Sequence, residues 1–205
     1  MTNHFDTVAQ EWDRNQLHLQ RTEAIAQLLL QKIKLNAKMR GLEFGSGTGL
    51  LSFALQSHLA DIILMDSSVE MTNTTITKVE NAQLTHLHPI FFDLEKEDYQ
   101  DATFDIIFSQ MALHHVGDID KIIGKFAALL PAGGHLALAD LYAEDGTFHD
   151  MEFHGHFGFN PDDLASILQK HHFTLVNHSQ CFVIEKNTSE GPKSYPVFLL
   201  TAVKV

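Results

Sequence analysis

A single cysteine, Cys181, stands in the 205 residues, so no internal disulfide can form. That usage suits a reducing compartment. Positive charge is scarce as well: 14 Lys and Arg stand against 26 Asp and Glu, a net charge of −12. Non-specific nucleic-acid binding needs a basic surface that neutralises phosphates, and this chain lacks one. Docking on anionic lipid is disfavoured for the same reason. Long apolar runs are also missing; none approaches the roughly 20 residues that span a bilayer. The first residues, Met1 to Asp6, have neither the basic flank nor the apolar run of a signal peptide. These absences lead us to expect a cytoplasmic protein without a membrane or nucleic-acid partner. What remains, 44% apolar and 20% charged residues, is ordinary for a soluble globular chain. The length fits one domain, 1–205, with a substantial core.

The order of patterns along the chain sets the fold class. Leu17, Leu19, Ile25, Leu28, Leu29 and Ile33 recur near helical spacing, which predicts an amphipathic helix ahead of the first strand. Buried strands are expected at Gly41–Phe44, Asp61–Met65, Leu87–Phe92, Phe104–Ser109 and His135–Ala139. Helical periods at Thr48–Leu59, Val69–Val79 and Ile119–Leu130 lie between them. Strands alternating with helices imply right-handed crossovers and a parallel sheet. Tyr142–Asn160 is read as a long loop, rich in glycine, aromatics and histidine, of the kind that carries function. Asn160 then caps a helix that begins at Pro161. Two final strands, Phe173–Ile184 and Tyr195–Val205, are joined by a polar turn, Lys186–Lys193, as an antiparallel hairpin. The class is therefore α/β: a Rossmann-like, mostly parallel seven-stranded sheet with helices on both faces and a C-terminal hairpin.

Gly41-Leu42-Glu43-Phe44-Gly45-Ser46-Gly47-Thr48-Gly49 is a short strand, an acid near its end, and a glycine turn running into a helix. Glycines at alternate positions let backbone N–H groups approach a ligand closely, with a helix N-terminus aimed at the same point. A dinucleotide fingerprint would require glycine at position 50, where leucine stands. The second predicted strand ends at Asp66. An acid there accepts from ribose hydroxyls in nucleotide-binding sheets, or else caps the next helix. The third ends near Asp93, which by itself reads as a strand-end turn aspartate.

Glu43-x-Gly45-x-Gly47-x-Gly49 resembles motif I of the class I S-adenosylmethionine-dependent methyltransferases. Further motifs follow in the family's order. Asp66-Ser67-Ser68-Val69-Glu70-Met71 resembles D-x-S-x-x-M, whose methionine packs on adenine. Asp93-Leu94 stands where an acid and the next N–H meet the adenine edge. Phe104–His115 is similar to F-D-x-[IV]-x-S-x-x-x-L-H-H, and Leu129–Gly134 to the L-K-P-G-G turn, with leucine for lysine and alanine for the first glycine. Phe5–Asp13 resembles the F-D-x-x-A-x-x-[YW]-D segment of the ubiquinone/menaquinone-type small-molecule branch, where it forms part of a lid. The resemblance covers residues 39–140 most fully.

It implies S-adenosylmethionine as cofactor, leaving as S-adenosylhomocysteine. The residues implied to hold it are Glu43, Gly45, Ser46, Gly47, Gly49, Asp66, Ser67, Met71, Asp93, Leu94, Ser109 and Met111. A methyl carried on a sulfonium moves by in-line attack, so the protein chiefly aligns and desolvates the reactants. An oxygen, nitrogen or enol-like carbon acceptor would need a base, for which His114, Tyr142 and His154 are the candidates. Ser109-Gln110-Met111-Ala112 lacks the Pro-Pro of amino-DNA methyltransferases, and Cys181 follows Gln180 rather than proline. A small-molecule acceptor is favoured. The 14 histidines show no H-E-x-x-H or C-x-x-C spacing, so no metal is expected. The competing readings are a non-catalytic cofactor-binding module and, with Leu50 against it, a nicotinamide oxidoreductase.

Overall fold

The computed structural model describes residues 12–100, 102–149, 153–188 and 190–205. Seven strands, β1 (Arg40–Phe44), β2 (Asp61–Asp66), β3 (Leu87–Phe91), β4 (Ile106–Gln110), β5 (His135–Leu141), β6 (Phe173–Thr188) and β7 (Gly191–Lys204), form one sheet. Their order is β3-β2-β1-β4-β5-β7-β6. The first five are parallel; β7 runs antiparallel to both β5 and β6. The chain moves outward through β2 and β3, then returns to the other side of β1 as β4. That reversal makes β1/β4 the switch point of the sheet, and a crevice opens beyond its carboxyl edge.

Helices cover both faces. On one face α1 (Gln16–Lys32), α2 (Leu50–Leu55) and α3 (Val69–Asn81) bury Ile25, Leu29, Leu51, Leu55 and Val79 against Leu64, Ile106 and Phe108. On the other α4 (Ile119–Leu129) and α5 (Pro161–Lys170) bury Ile122, Ile123, Phe126, Leu164 and Leu168 against Leu42, Ile107 and Leu138. Burying one such aliphatic side chain is worth about 1.5–3 kcal/mol, so the two apolar layers hold the sheet. Asn15, Ser68, Asp118 and Asn160 cap α1, α3, α4 and α5, each accepting from a first-turn N–H. Pro161 occupies the first helical position, where its missing N–H costs nothing. Pro89 lies in β3, the outermost strand, where a lost ladder hydrogen bond is tolerated. Among the described residues no helix is long and apolar enough to cross a membrane.

Several boundaries differ from those expected, three of them instructively. The hairpin turn is much shorter than Lys186–Lys193: β6 runs to Thr188 and β7 starts at Gly191, so the pairing continues through polar residues. Alternation there is between exposed positions, which hides a strand from a hydrophobicity pattern. Helical structure after the glycine turn is also shorter, Leu50–Leu55 followed by a 3-10 turn at Gln56–His58. The fourth strand starts at Ile106 rather than Phe104.

Candidate functional site

The crevice is built on the glycine turn. Gly45, Gly47 and Gly49 all have positive φ, +63°, +53° and +78°. L side chains rarely adopt such backbone, which is why the glycines alternate. A β carbon on Gly45 would run into the Ala112 methyl, and one on Gly49 would stand 2.8 Å from Leu64 Cδ2. The Ser46 N–H donates to Met65 O at 3.0 Å and fastens the turn to β2. Asp66 closes the other side: its carboxylate accepts from Gly47 N–H at 2.7 Å and Ser68 N–H at 2.8 Å. The same acid thus stitches the turn and the start of α3, and it lines the cavity that the turn encloses.

That cavity has a volume of about 330 Å³, within the range of small-ligand sites. Of the cofactor residues expected from sequence, Gly45, Ser46, Gly47, Asp66, Ser67, Met71, Asp93, Leu94 and Met111 lie on its wall. Glu43, Gly49 and Ser109 do not. Ser109 is buried behind the wall and its hydroxyl donates to Phe44 O at 2.8 Å, joining β4 to the end of β1. Asp93 caps its own turn, accepting from Glu95 and Lys96 N–H, and pairs with Lys96 Nζ at 2.6 Å. Burial would raise its carboxyl, but the Lys96 charge and these hydrogen bonds outweigh it and hold it low.

Glu43 clamps the helix from beneath. Its Oε2 accepts from Ser52 N–H at 3.1 Å and from Ser52 Oγ–H at 2.5 Å. Gly49, the α2 cap, has no side chain to satisfy those first-turn donors, and Glu43 does so instead. Complete burial pushes the Glu43 carboxyl up to about 8, against the two Ser52 hydrogen bonds that lower it. The folded protein therefore binds this proton more tightly than the unfolded chain. The stability it contributes is full below about 4.5 and is lost as pH rises through about 8. Glu43→Gln should remove that slope, of at most about 1.4 kcal/mol per pH unit. From pH 5 to 8 the urea midpoint should fall more steeply for wild type than for the variant; parallel curves would contradict the assignment.

Arg21 is a wall residue absent from the expected set, as are Gln110 and His115. It is 6% exposed, and among the described residues no ion pair or hydrogen bond holds it; its Nε is buried without a partner. Burial lowers its guanidinium to about 10, with Asp140 opposing, so it remains charged at neutral pH. A buried cation facing a cavity is costly unless an anion completes it. Arg21 falls on the buried face of α1 with Thr22, Ile25, Ala26 and Leu29, a position that only the cavity behind it explains. Gln110 lines the same wall and accepts from Thr22 Oγ–H at 3.0 Å.

Trp12 lines the cavity from a 3-10 turn, Trp12–Arg14. Asp13 beside it accepts from Thr48 Oγ–H at 2.5 Å and pairs with Lys78 at 2.5 Å, so this turn is fastened to the glycine loop. The remainder of the expected lid, Phe5–Glu11, lies outside the described residues.

None of the three expected bases lines the cavity. His114 is buried and its Nδ1 faces Asp140 Oδ1 at 2.6 Å. Tyr142 packs edge-on against Phe198, with rings 5.3 Å apart, and burial raises its hydroxyl. His154 is exposed on the loop. His115 takes the wall position instead. Leu113–His115 is a 3-10 turn, which sends successive side chains in different directions. Cys181, pushed up to about 12 by burial, is a thiol at neutral pH.

Residues 16–178 match the model of a family described as a methyltransferase domain. An uncharacterized methyltransferase of Schizosaccharomyces pombe is 28% identical over 138 residues, 64% of this chain and 46% of that one. The uncharacterized methyltransferase YcgJ of Bacillus subtilis is 26% identical over 129 residues, 63% of this chain and 51% of its own. This chain thus spans about half the length of these two relatives. The crystal structure of YcgJ superposes with a TM-score of 0.73 at 17% identity, covering 87% of this chain and 97% of that one. A phosphoethanolamine N-methyltransferase of Haemonchus contortus, solved with S-adenosyl-L-methionine, gives a TM-score of 0.72 at 14% identity, over 99% of this chain and 60% of that one. Strand order, glycine turn and matched family agree: the chain belongs to the methyltransferase-domain family and has the fold of a class I S-adenosylmethionine-dependent methyltransferase.

Proposed function

We propose that the protein transfers the methyl group of S-adenosylmethionine to a small-molecule acceptor. The observation that carries this reading is the single cavity wall formed by the Gly45–Gly47 turn, Asp66, Asp93-Leu94 and Arg21. Adenine fits between Met71 and Leu94, with Asp93 at its edge. Asp66 accepts from the ribose hydroxyls while keeping the Gly47 N–H. Arg21 supplies the one charge that a methionine carboxylate needs, and the cofactor removes the cost of burying that cation. Met111, held at φ +52°, passes along the methionine arm at the end of β4.

The acceptor enters beside Trp12 and meets His115, the imidazole on the wall. Because the sulfonium leaves as a neutral thioether, the protein's work is alignment and exclusion of water, and the acceptor proton passes to solvent or to a nearby base. The net charge of −12 supports a small acceptor over a nucleic acid. The aromatic segment ending at Trp12-Asp13 supports the ubiquinone/menaquinone-type branch, and the absence of disulfide-forming cysteine pairs supports a cytoplasmic setting.

Transfer from methyl-labelled cofactor tests the acceptor class. Pools of small hydroxylated, amino and thiol compounds should take label in separate reactions, while DNA and RNA should take none. Label in nucleic acid and in no small-molecule pool would contradict the reading.

A further inference from the structure

The turn after β4 and the distant 142–160 loop bring three imidazoles together. His114 and His115 come from the turn and His149 from the loop, and one nitrogen of each lies within 4.8 Å of the others. The ring centroids form a compact triangle, with separations of 4.2, 5.0 and 5.5 Å. We propose that His114, His115 and His149 form a binding site for a divalent transition-metal ion of the zinc type, beside the cavity. The proposal is independent of the cofactor reading.

Three imidazoles are a donor set suited to borderline ions such as Zn²⁺, Co²⁺ and Ni²⁺, and a poor one for Mg²⁺ or Ca²⁺. Tetrahedral bonds of about 2.0–2.1 Å place ligand nitrogens about 3.3 Å apart. The triangle therefore needs to contract by no more than about 1.5 Å per edge, within reach of side-chain rotation and a small loop movement. It holds three ligands, which leaves a fourth position for water or an exogenous group, the pattern of catalytic rather than structural zinc.

Asp140 is the second, independent observation. Its Oδ1 lies 2.6 Å from His114 Nδ1, and it also accepts from His114 N–H and Leu141 N–H at 3.1 and 2.7 Å. Three contacts fix this fully buried carboxylate at the end of β5. They hold the His114 proton on Nδ1 and leave Nε2 with its lone pair available to an ion. A carboxylate behind a ligating imidazole is the usual outer support of histidine–metal sites. Phe153 stacks on His149, with centroids 3.8 Å apart and planes 17° from parallel, and fixes the third ring. His115 also lines the cavity, so the triad borders the space proposed for the acceptor. His154 is exposed and outside the triad, and His156 Nε2 faces Val116 O at 3.0 Å.

The test is a titration of the chelator-treated, full-length protein with Co²⁺ and Zn²⁺. Calorimetry should show one strong site per chain. Co²⁺ should give visible absorption bands of a four- or five-coordinate imidazole site, bleached by equimolar Zn²⁺. His149→Ala should weaken binding by at least 10-fold, and Asp140→Asn by about 10- to 100-fold. His154→Ala should leave it unchanged. S-adenosylhomocysteine affinity, measured on the same samples, should be equal in wild type and His149→Ala, which establishes that the variant is folded. Absence of a stoichiometric site in wild type, or equal metal affinity in folded His149→Ala, overturns the proposal. Metal binding without S-adenosylhomocysteine binding would overturn the cofactor reading and leave the metal site standing.

Discussion

Replacing Asp66 with alanine should weaken S-adenosylhomocysteine binding by about 100-fold. The carboxylate is proposed to accept from both ribose hydroxyls, and hydrogen bonds to a charged group are worth about 1.5–3 kcal/mol each. Two such bonds give at least about 3 kcal/mol. Loss of the Gly47 contact adds to the effect, because the turn that carries the N–H groups loses a fastening at 2.7 Å. The alternative role, a cap on the α3 turn through Ser68, makes a different prediction. It lowers stability by about 1 kcal/mol and leaves affinity nearly unchanged. Calorimetry and urea unfolding on the same variant separate the two. An affinity within about threefold of wild type would remove Asp66 from the cofactor site.

Arg21→Met should act in opposite directions on the free and the bound protein. Methionine fills similar space without a charge, so the unliganded variant should be more stable than wild type: it no longer buries a cation that burial disfavours more than Asp140 favours. Binding of S-adenosylhomocysteine should fall by about 30-fold or more, since losing one partner of a buried charge pair costs about 2–5 kcal/mol. The internal control is 5′-methylthioadenosine, which lacks the amino-acid arm. It should bind wild type and variant equally. Equal loss for both ligands would mean that Arg21 supports the wall and does not meet the carboxylate.

The sequence carried the parallel core of the sheet because each buried strand is a short apolar run set off by turns or polar residues. It carried the glycine turn because alternate positive φ admits almost nothing but glycine. Asp66 could be placed because a strand end fixes where the next residue points. Side-chain direction inside irregular turns was not legible. Nothing in Leu113-His114-His115 tells which imidazole turns toward Asp140 and which toward the cavity, since that depends on a single 3-10 turn. Glu43 likewise sits in the motif as expected, yet its carboxyl faces Ser52 under the helix, not the cavity. The approach of His149 to His115 spans 34 positions and follows from the loop path alone. Arg21 was hidden for another reason: it interrupts an apolar face, and a charged residue there counts against a helix pattern until the cavity behind it is seen.

The most direct test of the whole account is calorimetric titration of the purified protein with S-adenosylmethionine, S-adenosylhomocysteine, NAD and NADP in separate runs. The account predicts one site per chain for the two adenosyl-sulfur ligands and none for the nicotinamides. Each binding ligand at about 100 times its dissociation constant should also raise stability by about 2.7 kcal/mol. Binding of NAD or NADP with no response to either adenosyl-sulfur ligand would contradict it.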